Sequence, residues 1–249
     1  MITLQNIQKV FNKGEVNEVR ALNDVSLTIQ QGEYVVLVGS NGSGKTTLLN
    51  VISGAESITS GKVLFKNDDV TKLPEHKRSK WIARVFQNPL SGTAPELSIL
   101  DNFRLAALRT TSKKPLIGVN AAFKKQVQER IATLGMGLEN KVEQAMGTLS
   151  GGQRQALTLL MSVMDHTDIL LLDEPTAALD PRSAETILKT ADALVKEYKL
   201  TAILITHNLK DAHQYGNRII QMTGGKILKD LDSDAKGRLQ LQDIFGWFS

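Results

Sequence analysis

Gly39-Ser40-Asn41-Gly42-Ser43-Gly44-Lys45-Thr46 carries the residue types that grip a row of phosphates. Glycines at 39, 42 and 44 let backbone N–H groups turn inward around anionic oxygens, and a helix starting at the end of the loop adds partial positive charge. In that geometry Lys45 reaches the β- and γ-phosphates of a nucleoside triphosphate, the Thr46 hydroxyl is placed to ligate Mg²⁺, and Thr47 joins the candidate contacts. The pattern G-x-x-x-x-G-K-S/T has this meaning only between a strand and a helix. Tyr34-Val35-Val36-Leu37-Val38 reads as the buried strand before it, and Thr47-Leu48-Leu49-Asn50-Val51-Ile52 as the helix after it. The competing reading is a glycine-rich turn ahead of a basic helix, and it explains neither flank.

A second group able to do chemistry is Asp173-Glu174, at the end of the apolar run Ile169-Leu170-Leu171-Leu172. A carboxylate pair there lies at the C-terminal mouth of a buried strand, the edge of an open α/β sheet where ligands bind. Asp173 can help hold Mg²⁺, and Glu174 can orient and deprotonate an attacking water. Taken alone the pair also fits a solvated loop start; coupled to the phosphate loop, the chemical reading takes over.

The elements that must position these groups divide into three stretches. Residues up to about 38 alternate in strand fashion, with Ile2, Leu4 and Ile7, then Val25, Leu27 and Ile29, and a turn at Gly32-Glu33. Residues 99–108 and 121–134 carry apolar positions at helical spacing, separated by Thr111-Ser112-Lys113-Lys114-Pro115. From Asp168 strands and helices alternate again: 169–172, a helix after Pro181, 202–205, a short helix, 218–222 and 226–228. Such alternation predicts a mostly parallel sheet covered by helices, interrupted by a helical insertion. The expected division is a catalytic core with a β subdomain over about 1–89 and 166–249, and a helical subdomain over about 90–165.

Composition sets bounds. The net charge of +4 (30 basic less 26 acidic residues) is spread along the chain, unlike the concentrated basic stripe of a nucleic-acid binder, so no nucleic-acid partner is expected. With no cysteines there is no disulfide and no thiolate metal site. No apolar run approaches the ~18–20 residues that cross a bilayer, and Met1-Ile2-Thr3-Leu4-Gln5 lacks the design of a signal peptide, so any membrane role is expected to be peripheral.

Leu149-Ser150-Gly151-Gly152-Gln153, continued by Arg154-Gln155-Ala156-Leu157, resembles the LSGGQ signature of the ATPase subunits of ABC transporters. The resemblance extends over essentially the whole chain. It implies a P-loop NTPase core of the ABC ATPase type, with an N-terminal antiparallel β subdomain and an inserted α-helical subdomain. By the same resemblance Ser150, Gly151, Gly152 and Gln153 form a second anion cradle, which closes on the ATP of a partner copy in a head-to-tail dimer. Phe11 matches the aromatic that stacks on adenine, where Tyr is commoner; the alternative is core packing on an N-terminal strand. Gln87, after Ile82-Ala83-Arg84-Val85-Phe86, matches the glutamine that contacts Mg²⁺ and water. Ala177-Ala178-Leu179-Asp180 matches a loop that crosses to the other subunit, and His207 in Ile205-Thr206-His207-Asn208 matches a histidine near the γ-phosphate. The usual Asp after that histidine is Asn208 here.

These assignments imply ATP hydrolysis with Lys45, Gln87, Glu174 and His207 in the chemistry and Thr46, Gln87 and Asp173 around Mg²⁺. The partners implied are a second copy, integral-membrane permease subunits and an extracytoplasmic substrate-binding protein, with the chain on the cytoplasmic face of the membrane. The stretch Asn88-Pro89-Leu90-Ser91-Gly92-Thr93-Ala94-Pro95-Glu96-Leu97 would line the groove for a permease helix. Together with Gly135-Met136-Gly137-Leu138-Glu139-Asn140 and Tyr215-Gly216-Asn217-Arg218, it looks like a bacterial subgroup of tryptophan or other aromatic amino-acid importers. An exporter ATPase is the runner-up. DNA-repair members would need a coiled-coil insertion that roughly 100 residues between loop and signature cannot hold, and ribosome-acting members usually carry two cassettes. The basic group Arg109, Lys113, Lys114, Lys124 and Lys125 reads as a solvated face or a contact with anionic lipid. The amphipathic segment 239–248 is expected to pack back on the chain, with a membrane or partner contact as the alternative.

Overall fold

A computed structural model describes residues 1–110 and 120–248. The break at 111–115, with Lys113 and Lys114, lies outside the described residues. In chain order the elements begin β1 (Ile2–Phe11), β2 (Val19–Ile29), β3 (Tyr34–Val38), α1 (Lys45–Ser53), β4 (Ser60–Phe65), β5 (Asp68–Asp69) and α2 (Glu75–Arg78). The middle of the chain forms β6 (Ile82–Val85), α3 (Ile99–Ala106), α4 (Ala121–Ala132), α5 (Gly151–Ser162), β7 (Ile169–Asp173) and α6 (Pro181–Tyr198). The last part forms β8 (Thr201–Ile205), α7 (Leu209–Gln214), β9 (Arg218–Thr223), β10 (Lys226–Leu231), α8 (Ser233–Arg238) and α9 (Leu241–Phe245). The chain divides into two compact units, residues 1–82 with 200–249 and residues 83–199.

In the first unit β3 is flanked by β8 and β9, both parallel to it, and β10 is antiparallel to β9. Every residue of β3 and β8 is buried, as expected for parallel strands covered on both faces. A second, antiparallel sheet has the order β2-β1-β4-β5, with Ile2 opposite Ile29 and Leu4 opposite Leu27. The register slips between Leu4 and Ile7, where Asn6 takes φ 49° and Asp24 φ 57° and the Asn6 amide donates to Asp24 Oδ1 at 3.0 Å. That irregularity returns Ile7 to the buried face.

Arg78 anchors the far end of α1. Its side chain is buried, and its guanidinium donates to the carbonyls of Val51 (2.8 Å), Ile52 (2.9 Å), Val70 (2.6 Å), Thr71 (3.1 Å) and Leu73 (2.8 Å). Two of these belong to the last turn of α1, so a cation sits where the helix dipole is negative. Gly54, at φ 82°, ends α1, and a Cβ there would come within 2.8 Å of Arg78 Nε. Burial pushes the Arg78 pKa down, yet five acceptors keep it ionised.

The segment 239–248 folds back on this unit. Ile244 is buried, Gln221 Nε2 donates to the Trp247 carbonyl at 3.1 Å, and the Lys229 ammonium lies 4.5 Å from the Trp247 ring centre.

In the second unit β6 lies beside β7, and the helices α3 to α6 complete it. Asn102, buried on α3, exchanges bonds with the Ala94 backbone (2.8 and 3.0 Å) and fixes the stretch that leads into that helix. Arg109 donates to the His166 carbonyl (2.6 Å) and Thr167 Oγ1 (2.5 Å), and Lys124 pairs with Glu143 at 2.7 Å. These described members of the basic group are thus tied to the protein itself.

Candidate active site

The candidate residues fall in both units, and each half has its own construction. In the first unit β3 delivers the phosphate loop. Gly39 is buried, and a Cβ there would collide with the Met222 carbonyl of β9. Gly44, at φ 99°, is the N-cap of α1, and a Cβ would meet the Ala21 carbonyl at 2.5 Å. Both positions therefore require glycine through close backbone approach. Lys45 opens α1 and is buried, with its ammonium donating to the carbonyls of Gly39 (2.9 Å) and Ser40 (3.0 Å). The ammonium thus lies against the loop, where phosphate oxygens are the natural exchange for carbonyls. Ser40, Asn41, Gly42 and Thr46 are exposed and Thr47 is half-buried. The Ser43 hydroxyl is buried with no hydrogen-bond partner among the described residues, so the loop holds a polar atom that its own fold does not satisfy.

His207 follows β8, whose Ile205 lies opposite Leu37 of the parallel β3, so the histidine and the phosphate loop leave the same edge of the sheet. His207 is exposed. Asn208 caps α7, its Oδ1 accepting from Lys210 N–H at 3.0 Å, which is the work a carboxylate would do at that position. Asn208→Asp should leave stability unchanged, and Asn208→Ala should lower it by about 1 kcal/mol in a urea melt. Phe11 ends β1, opposite Val19, and is half-buried, with the Lys9 ammonium 4.5 Å from its ring centre. Two residues earlier Lys9 pairs with Leu22, whose side chain lies 3.2 Å from where a Gly44 Cβ would be. The aromatic thus hangs from the strand pair that presses on the phosphate loop, and it is not part of the buried core.

In the second unit Asp173 is the last residue of β7 and is buried, with Arg84 Nη2 of β6 2.5 Å from its Oδ2. The Arg84 guanidinium also stacks 4.7 Å from the Phe86 ring centre. A buried carboxylate needs such a counter-charge. Arg84→Met should destabilise the metal-free protein by about 3 kcal/mol, and Mg²⁺ with nucleotide should recover more of its melting temperature than in the unmodified protein. Glu174 follows at φ 48°, a left-handed conformation unusual for a residue with a side chain. Gln87 is exposed, two residues beyond the end of β6.

The signature region is built as a capping box: Ser150 Oγ accepts from Gln153 N–H (3.3 Å) and Gln153 Oε1 accepts from Ser150 N–H (3.2 Å). Gly151 and Gly152 are the first residues of α5. A Cβ on Gly152 would sit 2.8 Å from Ser183 Oγ on α6, so this glycine is needed for packing and not for its backbone angles. Arg154 holds the preceding turn, donating to the carbonyls of Met146, Gly147 and Leu149 (3.3, 3.0 and 2.9 Å). Asp180 caps α6 by accepting from Arg182 and Ser183 N–H (3.1 and 3.0 Å), and the bonds with Ser183 hold its carboxyl below the usual range.

Hydroxyl, carboxylate and amide oxygens suit Mg²⁺. Among the described residues no cluster of three His, Cys, Asp or Glu could hold a metal unaided. Sequence reading overlooked Arg78, Arg84 and Gln155, whose partners are backbone carbonyls or a carboxylate remote in sequence.

The family model described as ABC transporter matches residues 22–177. The chain is 35% identical to the tyrosine transport ATP-binding protein of Clostridioides difficile (strain R20291), over 100% of this chain and 98% of that one. It is 30% identical to the phosphonates import ATP-binding protein PhnC of Lactococcus lactis subsp. lactis (strain IL1403), over 98% of each. Among solved structures it resembles the ATP-binding cassette MJ0796, a dimer in a post-hydrolysis state bound to ADP and Pi, with TM-score 0.80 and 29% identity over 94% of this chain and 99% of that one. The α/β architecture described above is that of the P-loop ATPases of this type. The chain belongs to the ABC transporter family and is an ATP-binding, ATP-hydrolysing subunit.

Proposed function

We propose that this subunit drives import of a small solute, an aromatic amino acid such as tyrosine or tryptophan, through separate permease subunits at the cytoplasmic face of the membrane. The observation that carries this reading is the full-length similarity to a tyrosine transport ATP-binding protein. A substrate-binding protein outside the membrane would select the cargo. In the second unit a cavity of about 620 Å³, lined by Gly92, Thr93, Ala94, Leu105, Leu108 and Met161 among others, supports docking of a permease helix there. No described helix is long and apolar enough to cross a membrane, so the passage for cargo would come from the permease.

In the proposed cycle Phe11 stacks on adenine, the N–H groups of residues 39–47 and Lys45 hold the triphosphate, and Thr46, Gln87 and Asp173 hold Mg²⁺. The metal, when bound, neutralises charge on the phosphate oxygens. Glu174 aligns and deprotonates the attacking water, which Gln87 also contacts, and His207 contacts the γ-phosphate. Ser150, Gly151, Gly152 and Gln153 of a second copy close over the same γ-phosphate, with Asp180 crossing between copies. The chemistry is chiefly positioning and charge neutralisation. Hydrolysis removes the group that both copies hold, and the pair loosens.

Reconstitution with the permease and its binding protein in proteoliposomes tests the reading. ATP-dependent uptake of labelled tyrosine or tryptophan, competed by the other, is expected. ATP-driven movement of cargo in the opposite direction, or uptake indifferent to excess aromatic amino acid, would overturn it.

A further inference from the structure

Gln155, on the second turn of α5, is buried to 1% exposure, deeper than the other buried polar side chains of that helix, Arg154, Thr158 and Ser162. Its amide Nε2 donates to two carbonyls, that of Phe86 at 2.8 Å and that of Pro175 at 3.1 Å. Phe86 immediately precedes Gln87, and Pro175 immediately follows Glu174. One amide group therefore grips the backbone beside both residues that the proposed mechanism places around the attacking water. The helix that carries it begins with the signature residues 150–153.

Glu174 is where such a grip matters. At φ 48° its backbone is strained relative to a relaxed residue, and such a conformation persists only when its surroundings over-determine it. On one side β7 fixes it through buried Asp173. On the other, Ala177 N–H donates to the Glu174 carbonyl at 3.1 Å, and Gln155 holds the next carbonyl. A side-chain amide can donate both protons of one nitrogen, so two carbonyls separated by 89 residues in sequence share a single rigid donor. Deep burial makes the loss of that donor costly, because both carbonyls would be left without it in a water-poor site.

We propose that Gln155 is a positioning residue for hydrolysis: it fixes the Glu174 and Gln87 backbones to α5, so that the start of α5 and the water-aligning residues move as one body. The inference rests on the roles given above to Glu174 and Gln87. It adds a mechanical link between them and the signature helix.

Gln155→Met keeps the length and removes both donors. The measurements are kcat, the dissociation constant of a fluorescent ATP analogue, and amide hydrogen exchange by mass spectrometry. We expect kcat to fall by about 10- to 100-fold, as for a displacement near 1 Å at a reacting centre. Nucleotide affinity should stay within about two-fold, since the phosphate loop lies in the first unit. Exchange should quicken in peptides around 174–178 and 86–92, and not along α6. In single turnovers, adding Gln155→Met to Glu174→Gln should lower the rate far less than it does alone, because both act on one step. Should Gln155→Met fail to fold, Gln155→Asn keeps a neutral amide, shortens its reach so that it no longer spans both carbonyls, and must show the same split between kcat and affinity. An unchanged kcat in a folded variant, or equal losses in kcat and affinity, or additive losses in the double variant, would overturn the proposal. Full turnover by Glu174→Gln alone would instead remove the reading beneath it.

Discussion

Glu174→Gln is expected to bind ATP normally and to hydrolyse it about 10²- to 10⁴-fold more slowly, the contribution of a well-placed general base. The substitution is close to isosteric, and the strained backbone at φ 48° is held by β7 and by neighbouring hydrogen bonds, so the fold should survive. With hydrolysis blocked, ATP should accumulate on the protein. Steady-state phosphate release and nucleotide retention on a desalting column measure both effects. Turnover within two-fold of the unmodified rate would exclude Glu174 as the base.

Lys45→Ala is expected to cut kcat by at least about 10²- to 10³-fold, the loss seen when a charge-stabilising donor is removed, and to weaken ATP binding as well. In this structure the ammonium donates to the Gly39 and Ser40 carbonyls, so the variant also removes bonds that brace the loop. The melting temperature should drop by only a few degrees, because close packing at Gly39 and Gly44 fixes the loop path independently. Unchanged affinity measured by calorimetry, with a normal rate, would contradict the assignment.

The strand, loop and helix around Lys45 were legible because their signals are local: five apolar residues, a run of glycines, then a helical pattern. The strand leading into Asp173 was legible for the same reason. Arg78 was not. It lies in a four-residue helix among Glu75, His76 and Lys77 and reads as surface, while its acceptors reach back to Val51, 27 residues earlier. Gln155 sits in a polar-looking run, and nothing local shows that its partners follow Val85 and Glu174. Gly152 could be read as an anion-cradle glycine from its neighbours alone; its contact with Ser183 depends on how α6 packs. Arg84, in the stretch before Gln87, carries no local sign that it faces the carboxylate read as a metal ligand. What sequence pattern misses here is the set of polar groups whose partners are backbone atoms in another element.

Ser150 and Gln153 satisfy one another at the start of α5, which leaves the signature formed before any second copy arrives. A formed surface of this kind costs little ordering on association. The solution mass of Glu174→Gln, followed by light scattering over a dilution series, tests the head-to-tail account most directly. With Mg²⁺ and ATP the mass should be twice that of one chain, and with ADP, or after the further change Ser150→Arg, it should return to that of one chain. A single-chain mass at every ATP concentration, while the nucleotide remains bound, would contradict it.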